Sequence, residues 1–196
     1  QCVRFSPDST VLAAGTADNV VVLFDATNNF KYKGKLTGNS SVILHVDFSA
    51  DSKYIQTCSQ SYELLFYEVD TRKQYTRSRE LKDTEWASFS SILGWDVQGI
   101  WPKESDGSDV NAVNRSNSKK YLATGGGSGN VKIFNYPCVG GGLNRKGKLV
   151  RRPEFHVNTG HSEHVTEVQW THGDERLLSA GGGDLSCFQW KVVAKK

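Results

Sequence analysis

The chain has 196 residues, with 24 Lys and Arg against 21 Asp and Glu, and its formal net charge of +3 is not the cationic excess of a nucleic-acid-binding domain. Apolar residues make up 37% and aromatic residues 11%, which is enough bulk for a packed core and excludes intrinsic disorder. The longest apolar run, Val20 to Phe24, falls far short of the roughly 18 residues of a membrane span, so neither nucleic acid nor membrane is expected as a partner.

Glycine is abundant at 19 residues and proline scarce at 4, which implies many tight turns and few rigid linkers. The four cysteines, Cys2, Cys58, Cys138 and Cys187, are widely spaced with no C-x-x-C pair, the pattern of a reduced, cytoplasmic setting. There is no methionine, and the opening QCVRFSPDS already reads as the inside of a strand and turn. A piece of a longer protein is expected.

One pattern recurs four times along the chain: VRFSPDSTVLAAGTADNVVVLFD, VDFSADSKYIQTCSQSYELLFYE, VNRSNSKKYLATGGGSGNVKIFN and VQWTHGDERLLSAGGGDLSCFQWK. The interval is 19 residues from Phe5 to Phe24, from Phe48 to Tyr67 and from Arg115 to Phe134, and 20 from Trp170 to Trp190. Phe5 and Phe48 lie 43 residues apart, within the range of roughly 40 to 45 for one four-stranded propeller blade. Each copy alternates apolar and polar positions with period two, and helical periodicity is nowhere sustained. The expected fold is all-β: four antiparallel four-stranded blades of a larger β-propeller. The blades are expected at about 1–36, 37–80, 109–150 and 151–196, with an inserted segment at about 81–108.

The copies resemble WD repeats, with the terminal dipeptide degenerate in all four. In the last copy His161, Ser179, Asp184 and Trp190 stand where WD blades carry a buried hydrogen-bond chain, so these four are expected as a structural network. Elsewhere the set is incomplete, with Asn39 in the place of the histidine and Ser61 and Ser128 in that of the aspartate. Those blades are expected to rely more on apolar packing. The first copy starts at an innermost strand, and only six residues follow Trp190, so a ring of about six to eight blades with its missing members upstream is expected.

Between the second and third copies lies a stretch too long for a connector and rich in tryptophan. Its TEWASFSSILGWDVQGIW and SDGSDVNAV, with NYPC and GHSEHVTEVQWTHGDERLLSAGGGD further on, closely resemble the second half of the echinoderm microtubule-associated protein-like family. The likeness runs from FSPDS to FQWKV. It implies a non-enzymatic microtubule-binding protein of the cytoskeleton, with tubulin and other axonemal or cytoskeletal proteins as partners and cilia or flagella as a setting. The alternative is a general WD-repeat scaffold that assembles signalling or trafficking proteins.

Other constellations carry less. His156, His161, His164 and His172 crowd together, but zinc sites have tighter ligand sets, and no metal or cofactor is expected. The glycine runs at 125–129 and 181–183 lack the Lys-Ser/Thr and helix of a phosphate loop. Ser179, His161 and Asp184 superficially form a catalytic trio, which the structural network explains better. The connector residues Arg145, Lys146, Lys148, Arg151 and Arg152 form a cationic run, which with Trp95 and Trp101 of the insertion makes a candidate partner-binding set.

Overall fold

The structure, a computed structural model, describes residues 1–101, 110–140 and 153–193. Its strands form separate antiparallel sheets, one for each sequence copy. The first contains β1 (Cys2–Phe5), β2 (Val11–Gly15), β3 (Val21–Asp25) and β4 (Lys31–Leu36), and the second β5 (Ile43–Phe48), β6 (Tyr54–Ser59) and β7 (Leu64–Glu68). The third contains β8 (Ala112–Arg115), β9 (Tyr121–Gly125), β10 (Asn130–Asn135) and β11 (Phe155–Thr159), and the fourth β12 (Val165–Trp170), β13 (Arg176–Gly181) and β14 (Cys187–Lys191). Two compact units result, Gln1–Leu93 and Gly94–Lys196, with two sheets in each.

The recurring interval in the sequence is a row across three strands. Phe5 pairs with Leu12 and Leu12 with Phe24; Phe48, Ile55 and Tyr67 repeat the row, as do Arg115, Leu122 and Phe134 and Trp170, Leu177 and Trp190. Side chains that face each other across paired strands pack together, so the spacing is the register. The turn that follows each first strand is equally regular. The hydroxyls of Ser6, Ser49, Ser116 and Thr171 accept from the backbone N–H of Val11, Tyr54, Tyr121 and Arg176 at 2.9, 2.9, 3.0 and 3.2 Å. Each turn also holds one non-glycine residue at positive φ: Ser9, Ser52, Lys119 and Asp174.

In the first unit Val11, Ala13, Val21 and Leu23 of one sheet pack against Val46, Phe48, Ile55 and Tyr67 of the next. In the second unit Ala112, Ala123 and Val131 pack with Val165, Val168, Trp170 and Leu177. Glycine permits the close approach in both. A Cβ on Gly15 would lie 2.8 Å from Ile43 Cγ2, and one on Gly125 2.5 Å from Val165 Cγ1. The other face of the first sheet is exposed, with Phe5 at 55%, Tyr32 at 64% and Val3 at 62% relative accessibility.

Two expectations are corrected. Only the first and third sheets are four-stranded; in the second, the fourth strand shrinks to an isolated bridge between Tyr67 and Gln74 before a 3₁₀ turn at Ser78–Leu81, and in the fourth no outer strand lies beside β14 among the described residues. The boundary at 150/151 also moves. β11 pairs with β10 from Asn130↔Thr159 to Phe134↔Phe155, so the long connector interrupts the third blade instead of separating two blades. Edge pairing decides this, and the exposed, weakly patterned FHVNT carries little signal of it.

Leu23 is fully buried. Leu23→Ala is expected to cost about 2–5 kcal/mol by leaving a cavity between the first two sheets, read as a lower urea midpoint at unchanged m.

Candidate functional site

The end of the fourth sheet gathers the polar residues of the last copy. Trp190 Nε1 donates to Ser179 Oγ at 2.8 Å, Ser179 Oγ lies 2.8 Å from His161 Nε2, and His161 Nδ1 lies 2.9 Å from Asp184 Oδ2. With the proton on Nδ1 the chain runs one way: indole to hydroxyl, hydroxyl to imidazole, imidazole to carboxylate. The His161 side chain is fully buried and Ser179 is 2% exposed, so the hydroxyl has its partners within the protein. The Ser-His-Asp distances resemble those of a nucleophilic triad, yet the indole N–H occupies the oxygen that would attack.

Asp184 also accepts from the backbone N–H of Ser162 and Ser186, both at 3.1 Å. Burial pushes its carboxyl upward, and the hydrogen bonds from Ser186, His161 and Ser162 outweigh this and hold it at about 2. The neighbouring glycines are needed for space. A Cβ on Gly181 would overlap the Asp184 carboxylate and the His161 ring, and one on Gly182 would overlap the His164 ring. The GGG run therefore serves this packing.

The second sheet builds a different network at the same place. Asn39 Nδ2 donates to Tyr67 OH at 2.9 Å, and Thr57 Oγ1 donates to Asn39 Oδ1 at 3.0 Å. Tyr67, Thr57 and Asn39 thus replace the indole, hydroxyl and imidazole. Glu63 Oε2 accepts from Ser40 N at 2.8 Å and from Ser59 Oγ at 3.2 Å, as Asp184 accepts from Ser162 N. The acidic position is therefore Glu63, two residues beyond the expected Ser61, and this blade carries a polar network of its own beside its apolar packing. The signal was present as a Thr at the Ser179 position and a Tyr at the Trp190 position, but matching against the WD pattern passes over it.

The inserted stretch is divided between the two units. Its first part, residues 81–93, is held on the second sheet by Asp47, a fully buried carboxylate on β5. Asp47 accepts from Gln56 Nε2 at 3.1 Å, Ser88 Oγ at 2.6 Å, Ser90 Oγ at 3.1 Å, Ser90 N at 3.0 Å and Ser91 N at 3.2 Å. Many donors around one carboxylate satisfy a charge that burial would otherwise penalise. Leu81, Trp86, Phe89 and Ile92 are buried, and Trp86 packs 5.9 Å from the Phe66 ring. Beside Asp47, burial lowers the pKa of His45; Asp47 opposes the shift and Arg4 adds to it.

Its second part forms a 3₁₀ helix, Trp95–Ile100, in the second unit. Tyr136 OH donates to Asp96 Oδ2 at 2.7 Å, Cys138 N to Asp96 O at 2.7 Å and Gly99 N to Cys138 O at 2.8 Å. Burial and the Asp96 contact push the Tyr136 hydroxyl up to about 12, and the Arg115 guanidinium lies 5.3 Å from its ring. Trp95 and Trp101, expected in a partner surface, are half-buried, the first opening this helix and the second capping its end. Arg145, Lys146, Lys148, Arg151 and Arg152 lie outside the described residues. His156, His164 and His172 are exposed apart from the network, and among the described residues no three His, Cys, Asp or Glu side chains converge as metal ligands.

Comparison with known proteins matches residues 1–192 to the family model described as the echinoderm microtubule-associated protein second beta-propeller. The chain is 40% identical over 196 residues to the 77 kDa echinoderm microtubule-associated protein of Lytechinus variegatus, covering 97% of this chain and 28% of that protein. It is 39% identical to echinoderm microtubule-associated protein-like 1 of Mus musculus and to protein-like 4 of Homo sapiens, covering 97% and 98% of this chain but 23% and 19% of theirs. Among solved structures, the β-propeller domain of Cps50 (Swd1) from Myceliophteria thermophila superposes with a TM-score of 0.61 at 18% identity, over 92% of this chain and 63% of that one. The four sheets are blades of a partial β-propeller.

Ser179→Ala strands the Trp190 indole and His161 Nε2 without their shared hydroxyl, and a loss of about 1–3 kcal/mol in denaturant unfolding is expected. Asp47→Ala leaves the donors of residues 88–91 without an acceptor, and a loss of about 3 kcal/mol is expected, with faster amide exchange at Ser90 and Ser91. Stability should also fall on acidification in two windows. Below pH ~6.5 the unfolded state binds a proton that buried His45 resists; between pH ~4 and about 2 the unfolded state takes one that Asp184 refuses. Unfolding midpoints measured against pH should show both limbs, and Asp184→Asn should make the lower one shallower, with Asp8, Asp51 and Asp174, whose carboxyls hydrogen bonds also hold down, contributing to the rest of it.

Proposed function

The chain belongs to the echinoderm microtubule-associated protein family, and from that premise we propose that it forms part of a non-enzymatic, microtubule-binding protein of the cytoplasmic cytoskeleton. The observation that carries this is the identity of 40% over 97% of the chain to a microtubule-associated protein. Tubulin in the polymerised lattice is the partner, other cytoskeletal or axonemal proteins are secondary ones, and the cilium or flagellum is a setting for a structural role. The polar network at His161, Ser179, Asp184 and Trp190 holds the fourth blade in register and takes no part in chemistry. Its buried hydroxyl supports that role.

The same reading places the four blades in a larger ring. In both units the row of one sheet, such as Phe48–Ile55–Tyr67 or Trp170–Leu177, packs against the preceding sheet. The equivalent row of the first sheet, Phe5–Leu12–Phe24, continues to Tyr32 and is open, with Phe5 and Tyr32 mostly exposed. A preceding blade of the parent protein is the occupant that matches it, because the offset between packed sheets is the same in both units.

The test is co-sedimentation of the intact parent protein with polymerised tubulin across a salt series, beside a version lacking the segment described above. Saturable pelleting that weakens with salt is the expected result, and its loss on deletion would place contacts or ring closure in these blades. A protein that stays in the supernatant at physiological salt would instead be a scaffold with protein partners on its propeller faces.

A further inference from the structure

The turns that follow the first strands also join neighbouring sheets. In each unit the positive-φ residue in the later sheet's turn accepts from the backbone of the turn in the sheet before it. Ser52 Oγ accepts from Asp8 N at 3.2 Å. Asp174 Oδ2 accepts from Ser118 N at 2.7 Å, and its Oδ1 from Asn117 N at 2.8 Å. Asp8 and Ser118 hold the same place, two residues after Ser6 and Ser116, so one donor position serves both units. The second bond to Asp174 comes from Asn117, whose counterpart in the first sheet is Pro7, which has no N–H to give.

Ser9 holds the accepting place in the first sheet, at φ +61° beside +62° for Ser52 and +57° for Asp174. It is exposed, and among the described residues its hydroxyl makes no hydrogen bond. Phe5, on the strand that leads into this turn, is exposed as well, whereas its equivalents Phe48 and Trp170 are buried in the cores shared with the preceding sheet. The first sheet therefore presents both halves of a contact that the second and fourth sheets have made.

We infer that Ser9 is the receiving half of a clasp between blades: its hydroxyl accepts a backbone N–H from the turn after the first strand of the preceding blade in the parent protein. The donor is the N–H two residues after the hydroxyl that opens that turn. Repetition sets this occupant, because in both units the donor is main chain, belongs to the turn of the sheet before, and stands at that position. The inference rests on the ring reading above and adds a contact to it. Apolar burial is non-directional, so the Phe5 row alone would seat the preceding blade without fixing its offset. A hydrogen bond weakens steeply off line, and a clasp at each turn holds consecutive blades at one offset.

The test is amide hydrogen exchange of the intact parent protein, resolved to single amides by mass spectrometry. Ser52→Ala calibrates it: the Asp8 N–H loses its acceptor and should exchange about two- to tenfold faster, the range for one net hydrogen bond. Ser9→Ala should speed the donor amide of the preceding blade's turn by a similar factor and leave Asp8 unchanged. Ser9→Gly, which suits a positive φ but has no hydroxyl, should do the same, while Ser9→Asp, which copies Asp174, should keep that amide slow. An amide indifferent to both Ala and Gly overturns the inference, and so does speeding by Ala that Gly reverses, which marks a backbone effect. A silent Ser52→Ala removes the precedent and overturns it too. Hydroxyl-radical footprinting separates the clasp from the ring. Phe5 as protected as Phe48, with Ser9→Ala silent, defeats the clasp alone; Phe5 oxidised faster than Phe48 defeats the ring reading and the clasp with it.

Discussion

The structure depends on the row, apolar in every sheet but for Arg115 of the third, that crosses each sheet at the end of its first strand. A three-stranded hairpin pair has little stability of its own, because one face stays wet until a second sheet covers it. Phe48, Ile55 and Tyr67, and likewise Trp170 and Leu177, provide that cover by seating on the alternate residues of the neighbouring sheet. Register, hairpin turns and close glycine contacts all serve this seating. A one-residue slip would turn the entire row away from the core.

Polar networks then close the ends of the blades, and they do so in more than one way. The fourth sheet uses tryptophan, serine, histidine and aspartate; the second uses tyrosine, threonine and asparagine, with Glu63 as the carboxylate. What the two share is mutual hydrogen bonding among buried polar side chains at the same place in the blade, which matters more energetically than the identity of its members. The same rule explains the insertion. A buried charge at Asp47 would be costly alone, but surrounded by serine hydroxyls and backbone N–H groups it becomes the anchor of residues 88–91.

Because strand pairing and the buried anchors take up the apolar and polar groups inside, what remains for recognition lies outside them. The tryptophans of the insertion illustrate this, since Trp86 belongs to the interior and Trp95 and Trp101 are half-buried at the two ends of a 3₁₀ helix.

The all-β class, the four copies and the register row were legible in the sequence, because strand periodicity and cross-strand pairing are local and leave fixed intervals such as Phe48 to Tyr67. The family was legible too, in the insertion and the last copy. Long-range pairing decided the rest: that β11 closes the third blade, that the second blade loses its fourth strand, that Glu63 and not Ser61 supplies the acid, and that Asp47 holds the inserted stretch. Those choices depend on which backbone edges and buried donors meet across 20 to 40 residues of chain, and no local pattern encodes that meeting.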